Sequence, residues 1–300
     1  MPEHPEGEPE FKTPAQACDA HFHVFGPAER YPPGTVGGEK LRYAPPLAPL
    51  EAYLALACRL GLERFVFVQP SAYGRDNTCM LDAMRDVPGS RGIVDIDEGA
   101  PEAELARLHA AGVRGVRINT SPVKAQEAGY AAALLPRIRR LEARCAEIGW
   151  TLDLLGPGWL TTELMPTLRR LQVDFTLAHM GMYLARDGVR QPGFQQLLDL
   201  LRHGPGRCWI KLTGAYRMSS PPDFSDAAPL AQALIQAAPD RLIWGSDYPH
   251  LSFADRVSST ALFNLLGRWA PDDAVRHKIL VENPERLYRF GSARRPGKES

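Results

Sequence analysis

The chain has 300 residues, 44% of them hydrophobic, and 35 basic side chains balance 35 acidic ones. That apolar fraction excludes wholesale disorder, and the absence of net charge excludes a global field that would draw the chain to nucleic acid or a membrane surface. The cysteines (Cys18, Cys58, Cys79, Cys145 and Cys208) are odd in number and never form a C-x-x-C pair. This pattern argues against a disulfide scaffold or a zinc–cysteine site and fits a reducing cytosol, so a cytoplasmic location is expected.

In chain order, residues 1–14 are acidic and proline-rich, with no basic start and no apolar core segment. They read as a mobile tail and not as a secretory signal. No apolar run approaches the roughly 18 residues of a membrane span. Short apolar runs predict strands over 17–21, 65–69, 92–96, 115–118, 151–155, 175–178, 208–212 and 242–245. Near-continuous runs such as FVFVQ and LIWG suit strands covered on both faces. Apolar residues at three-to-four spacing predict helices over 49–61, 102–112 and 135–149, each ending in glycine. Further helices are expected over roughly 161–171, 193–203, 226–238 and 259–270, with one or two closing helices over 271–288. Strand followed by helix, repeated around the chain, predicts an α/β fold of the (β/α)8 TIM-barrel type. A doubly wound open sheet is the rival, and no glycine-rich dinucleotide turn follows the first strand. A single barrel domain is expected over 15–292, with a C-terminal tail over 293–300. Three long connections, 25–46, 120–130 and 213–226, each follow a strand. In a barrel they lie on the C-terminal face, where barrel enzymes keep their active sites.

Four residues carry chemistry. In Asp19-Ala-His21-Phe-His23 the two histidines are two apart on a strand, so they point to the same side. They can chelate a metal or place two donors against one carbonyl oxygen. His179 closes the sixth strand and Asp247 the eighth. Read alone, His179 is a structural histidine and Asp247 a helix cap. Strand ends of a barrel converge, and that places all four at one pocket.

With these residues in hand, DAHFHVFGP, LAHMG and WGSDYPH resemble the amidohydrolase superfamily over residues 17 to about 290. RYAPP, FVFVQPSAYGRDN, GVRGVRINT and VENPERLY bring the chain nearest the branch that holds 2-pyrone-4,6-dicarboxylate lactonase, sugar lactonases and lactone isomerases. Binuclear members carry a bridging Lys or Glu after the fourth strand and two later histidines. Here the fourth strand ends in Arg117-Ile-Asn119, the fifth ends without His, Lys or Glu, and only His179 remains of the later pair. A binuclear centre is therefore not expected. No metal and no other cofactor is the expected state. A single Zn2+ on His21, His23, His179 and Asp247 is the alternative.

The resemblance implies a catabolic lactonase. Asp247 would be the general base for water, with His21, His23 and His179 polarising the carbonyl. A small acidic lactone is the expected partner, with no nucleic acid, no membrane and no readable oligomeric state. Arg117 and Arg217 would bind its carboxylate, with Tyr43, Ser71, Tyr73, Asn119 and His250 completing the pocket. Arg42, Arg75 and Lys124 are further contacts in the same loops. Val123 and Leu155 stand where the pyrone dicarboxylate pattern has Arg and Tyr, which weakens recognition of a second carboxylate. A lactone isomerase, a zinc-dependent decarboxylase or hydratase, and a barrel repurposed for binding are the other readings.

Overall fold

A computed structural model describes residues 7–36, 39–40, 45–120 and 125–291. The barrel strands are β1 (Cys18–Phe22), β2 (Arg64–Val68), β3 (Arg91–Val94), β4 (Val113–Asn119), β5 (Thr151–Leu155), β6 (Phe175–Leu177), β7 (Cys208–Leu212) and β8 (Leu242–Trp244). They form one parallel sheet of eight strands in sequence order. The edges meet just past β8: Asp247 N–H donates to His21 O at 2.8 Å and His23 N–H to Tyr248 O at 2.9 Å. The fold is thus a single-domain (β/α)8 barrel.

Helices α1 (Leu50–Leu60), α2 (Thr78–Arg85), α3 (Glu102–Ala110), α4 (Tyr130–Ile148), α5 (Gly158–Leu168), α6 (Pro192–His203), α7 (Ala228–Ala237) and α8 (Ser259–Trp269) follow the strands in turn. Short helices α9 (Asp273–His277) and α10 (Asn283–Tyr288) flank a π-helical turn and close the chain. Helix α2 is the one the sequence pattern misses. Its eight residues, TCMLDAMR, hold too few turns to display a period. A short antiparallel pair, Thr35–Val36 with Glu39–Lys40, lies in the long connection after β1.

Helices α1 to α8 turn apolar residues to the outside of the sheet. Leu197, Leu200 and Leu201 of α6, for example, are buried at three-to-four spacing. Part of the stretch read as an N-terminal tail is tied to this layer. Thr13 donates to Leu60 O at 2.6 Å, Glu10 N–H donates to Asn264 at 2.8 Å, and Phe11 lies 4.7 Å from Phe263. All five cysteines are free. No described helix is long and apolar enough to cross a membrane.

Inside the barrel the strands split into two kinds. Cys18, Ala20, Val66, Val68, Ile93, Trp209 and Ile243 pack together with Leu287, Tyr288 and Phe290 of the C-terminal end. Arg117, Asp153, Thr176 and Lys211 are equally buried yet polar. They lie in the lumen too, because Lys211 on β7 reaches Asp153 on β5, across the intervening strand, and His21 on β1.

Candidate active site

The mouth of the barrel is set by a slip in the first strand. Between Asp19 and Phe22 the register moves three residues on β1 for two on β2, a bulge. Before it, Cys18 and Ala20 join the lumen cluster while Asp19 points outward to accept Tyr53 O–H at 3.0 Å. After it, Phe22 stacks outward on Tyr53 at 3.6 Å and His21 and His23 turn inward. The Asp19 carboxylate also accepts His21 N–H and Ser246 N–H, both at 3.0 Å, and so staples β1 to the end of β8. Gly245 is required at this seam, since a Cβ there would come within 2.6 Å of His21 Cβ.

Three imidazoles surround one carboxylate. His21 Nε2 lies 3.5 Å and His23 Nε2 3.7 Å from Asp247 Oδ1, while His179 Nε2 lies 3.8 Å from Oδ2. All four residues are at most 5% exposed. Asp247 and His179 both have positive φ, 59° and 50°, a conformation that non-glycine residues hold at a cost of about 1–3 kcal/mol and that clusters at functional sites. Gly214 leaves room for His179, because a Cβ there would meet its Nδ1 at 2.5 Å.

Burial lowers the proton affinity of all three rings, His23 to about 4 with help from Arg117 and His179 to about 3. Each is therefore neutral near pH 7 and carries one ring proton, whose place follows from its other partner. His23 Nδ1 faces Val68 O at 2.7 Å, which only accepts, so His23 presents a bare Nε2. His21 Nδ1 lies 3.1 Å from the Lys211 ammonium, which only donates, so His21 presents Nε2–H. That Nε2 has no hydrogen-bond partner. Thr213 Oγ1 accepts His179 N–H at 3.2 Å and lies 2.6 Å from His179 Nδ1. The hydroxyl can donate to Nδ1, which leaves His179 with Nε2–H, or accept from it through its second lone pair. His21 thus turns a donor, and His23 an acceptor, toward the carboxylate.

Burial opposes charge on Asp247, yet Arg217 and the Tyr216 hydroxyl hold it well below the usual carboxylate range. Arg217 Nε and Tyr216 O–H both sit on Oδ2, at 2.9 and 2.5 Å. Oδ1 faces the histidines.

Of the residues expected to bind substrate, Arg217 is at the site and borders a cavity of about 510 Å³ with Trp159 and Tyr183. Arg117 is buried below the mouth, donating to Gln69 O at 2.7 Å, with its Nε 3.8 Å from Asp153 and without a hydrogen bond. His250 reaches the site through Tyr216, whose ring lies 5.6 Å away, and bonds Ser259 at 2.8 Å. Asn119 ends β4. Ser71 and Tyr73 form a turn after β2, where Tyr73 packs on Phe25. Arg75 pairs with Asp97 in an exposed ionic group. Tyr43, Arg42, Val123 and Lys124 lie outside the described residues. Lys211, Asp153, Tyr216 and Thr213 were not singled out from the sequence. Lys211 in CWIKL and Asp153 in TLDLL, each a charge inside an apolar strand, were the signal available.

Ligand atoms of His21, His179 and Asp247 lie within 4.8 Å of one another, a spacing that can hold a metal ion. A ligating histidine must offer a lone pair and donate its other nitrogen's proton. His23 meets that rule through Val68 O. His21 does not, because its second nitrogen faces an ammonium. The donor set therefore does not fit an ion as it stands.

The amidohydrolase family matches residues 18–290. The chain is 40% identical over 285 residues to 4-sulfomuconolactone hydrolase of Rhizobium radiobacter, covering 93% of this chain and 91% of that one. It is 32% identical over 294 residues to 2-pyrone-4,6-dicarboxylate hydrolase of Comamonas testosteroni (94% and 92% covered). It is 28% identical over 284 residues to D-galactarolactone isomerase of Agrobacterium fabrum (92% of each). A crystal structure from Pseudomonas putida, assigned to 2-pyrone-4,6-dicarboxylic acid hydrolase, superposes with a TM-score of 0.79 at 32% identity, covering 93% and 99% of the two chains.

Proposed function

We propose that this chain, which belongs to the amidohydrolase family, opens an acidic lactone with water, using Asp247 as general base and no metal ion. It is a carboxylic-ester hydrolase of the lactonase kind, as its relatives are named. One observation carries the metal-free reading: His21 offers a buried, unpartnered Nε2–H 3.5 Å from the Asp247 carboxylate.

In this reading the lactone carbonyl oxygen accepts from His21 and His179, whose Nε2–H groups are in place before charge develops. Water sits between Asp247 Oδ1 and the bare His23 Nε2. Asp247 takes a proton as the water oxygen bonds to the carbonyl carbon. Collapse of the tetrahedral intermediate breaks the ring C–O bond, and the leaving oxygen takes up the proton. The three histidines expected to act alike thus divide into two donors and one acceptor. Asp247 is a weak base while Arg217 and Tyr216 hold Oδ2, so positioning of the water must supply much of its effect. An anionic group on the substrate that engages Arg217 from the neighbouring cavity loosens that hold and raises the basicity of Asp247. Arg117 supplies further positive potential from below. Free thiols suit a reducing cytosol as the place of action.

The test is a pH-indicator assay of chelator-treated protein on 4-sulfomuconolactone, 2-pyrone-4,6-dicarboxylate and galactarolactones. Acid release by metal-depleted protein is expected. Activity that returns only with added zinc overturns the metal-free part. Loss of a lactone without acid release makes the chain an isomerase, and silence under all conditions removes the lactonase.

A further inference from the structure

Beneath the histidines lies a buried ion pair that the proposed reaction does not itself use. Lys211 and Asp153 are both fully buried, on strands separated by β6. The Lys211 ammonium contacts Asp153 Oδ2, which also accepts Thr176 O–H at 2.8 Å, and its Nζ lies 3.1 Å from His21 Nδ1. The Arg117 guanidinium approaches the other Asp153 oxygen at 3.8 Å. Removing two charges from water costs several kcal/mol each, and well-packed apolar residues of similar size are often as stable or more so. The apolar half of the same lumen shows that apolar filling is available to this barrel. Stability alone therefore does not account for the pair.

We propose that Lys211, held by Asp153, is a positioning residue that fixes His21 as an Nε2–H donor and makes the pocket hydrogen-bonding instead of metal-ligating. The reason is donor arithmetic. An ammonium has three N–H donors and no lone pair. Two of its directions are taken by Asp153 and His21, and both partners accept. Asp153 orients the ammonium, and the ammonium leaves His21 one place for its proton, the nitrogen that faces Asp247. A neutral acceptor at position 211 would reverse the tautomer and give His21 the lone pair a divalent ion needs. The proposal rests on the lactonase reading only for the use made of the donor, since the tautomer itself is a property of the free protein.

The test uses histidine labelled with 15N in the full chain, and zinc chloride as the metal probe. In the wild type the His21 signals should report the proton on Nε2 and an unprotonated Nδ1. In Lys211→Gln the amide N–H2 faces Asp153, the amide oxygen accepts from His21 Nδ1, and the proton moves. Zinc affinity by titration calorimetry should then rise about 10- to 100-fold, the range over which such outer partners act. Turnover of the metal-free variant should fall about 10²-fold in kcat, the effect of losing one oxyanion donor, with KM little changed. If Lys211→Gln does not fold because Asp153 is stranded, the double variant Lys211→Met/Asp153→Asn removes both charges and should also gain zinc. A wild-type His21 protonated on Nδ1, or zinc affinity unchanged in the folded variants, overturns the proposal. Lactone turnover by chelated wild type with the proton on Nδ1 removes the role of Lys211 and leaves the lactonase. The converse, Nε2–H with no lactone opened, sinks the lactonase and leaves Lys211 in its role.

Discussion

The two halves of the barrel lumen are filled by opposite chemistry. Strands β8, β1, β2 and β3 contribute Ile243, Cys18, Ala20, Val66, Val68 and Ile93, which pack on Tyr288 and Phe290 together with Trp209 from the start of β7. Strands β4 to β7 contribute Arg117, Asp153, Thr176 and Lys211, all buried. The first half is the kind of interior that stabilises a barrel through apolar burial. The second carries desolvated charge whose worth depends on every partner being present. The difference teaches where to look for function: a lumen that can be filled by apolar side chains, and is not, holds something in place. Here the charged half reaches the site with a side chain, Lys211 at His21 Nδ1, whereas the apolar half supplies it with a backbone carbonyl, Val68 O at His23 Nδ1.

This contrast can be broken from either side. The largest effect should come at the mouth: Asp247→Asn keeps the shape but removes the base, and kcat should fall about 10²- to 10⁴-fold. The measurement is steady-state kinetics on the lactone turned over by the wild type, with circular dichroism as a check of folding. Retention of more than a tenth of the turnover would remove Asp247 from that role.

Next is the apolar half. Trp209 is 3% exposed, with the Arg241 and Arg286 guanidinium groups 5.1 and 4.8 Å from its ring. Trp209→Ala should cost about 3–5 kcal/mol of stability in urea unfolding while kcat at 25 °C changes little. A large loss of kcat in the folded variant would show that the two halves are coupled.

The histidines above the charged half should reveal themselves through pH. An unfolded histidine takes its proton near 6.5, whereas buried His23 does so only near 4. Between these values the unfolded state binds more protons, so stability rises with pH there. The contribution is whole above about 6.5 and lost as pH falls toward 4, on the order of 3 kcal/mol for a shift of this size. The melting temperature should therefore drop between pH 6.5 and 4, and the drop should be shallower in His23→Asn. Parallel slopes for the two proteins would contradict the burial argument.

The smallest effect is expected within the apolar cluster, at Tyr288. Tyr288 is fully buried and its hydroxyl has no hydrogen-bond partner. Tyr288→Phe removes a stranded polar group and should leave the protein equally stable or about 1 kcal/mol more stable. Destabilisation by thermal melting would mean that the hydroxyl has a partner in solution.

Much of this molecule was legible in the chain. Each of the eight strands falls within two residues of its predicted start and end, because apolar runs bounded by glycine and proline are local signals. His21, His23, His179 and Asp247 could be placed together because parallel strands in sequence order bring their C-terminal ends to one mouth. Helix α2 escaped for want of length. The direction of His21 rested on a bulge that no residue of DAHFH announces, and simple alternation from Cys18 would have turned it outward. Arg217 looked like a free substrate ligand until its contact with Asp247 was seen.

By itself the sequence determined the barrel, the order of its strands and the ends at which the reactive side chains stand, since these follow from hydrophobic period and chain order. Only the tertiary structure decided that Lys211 meets Asp153 and His21 across the lumen, and hence which nitrogen of His21 carries the proton. The physical reason is range. A period is written among neighbours, but the partner of a buried charge lies on a non-adjacent strand, 58 residues away for Asp153 and 190 for His21, and no local rule selects it.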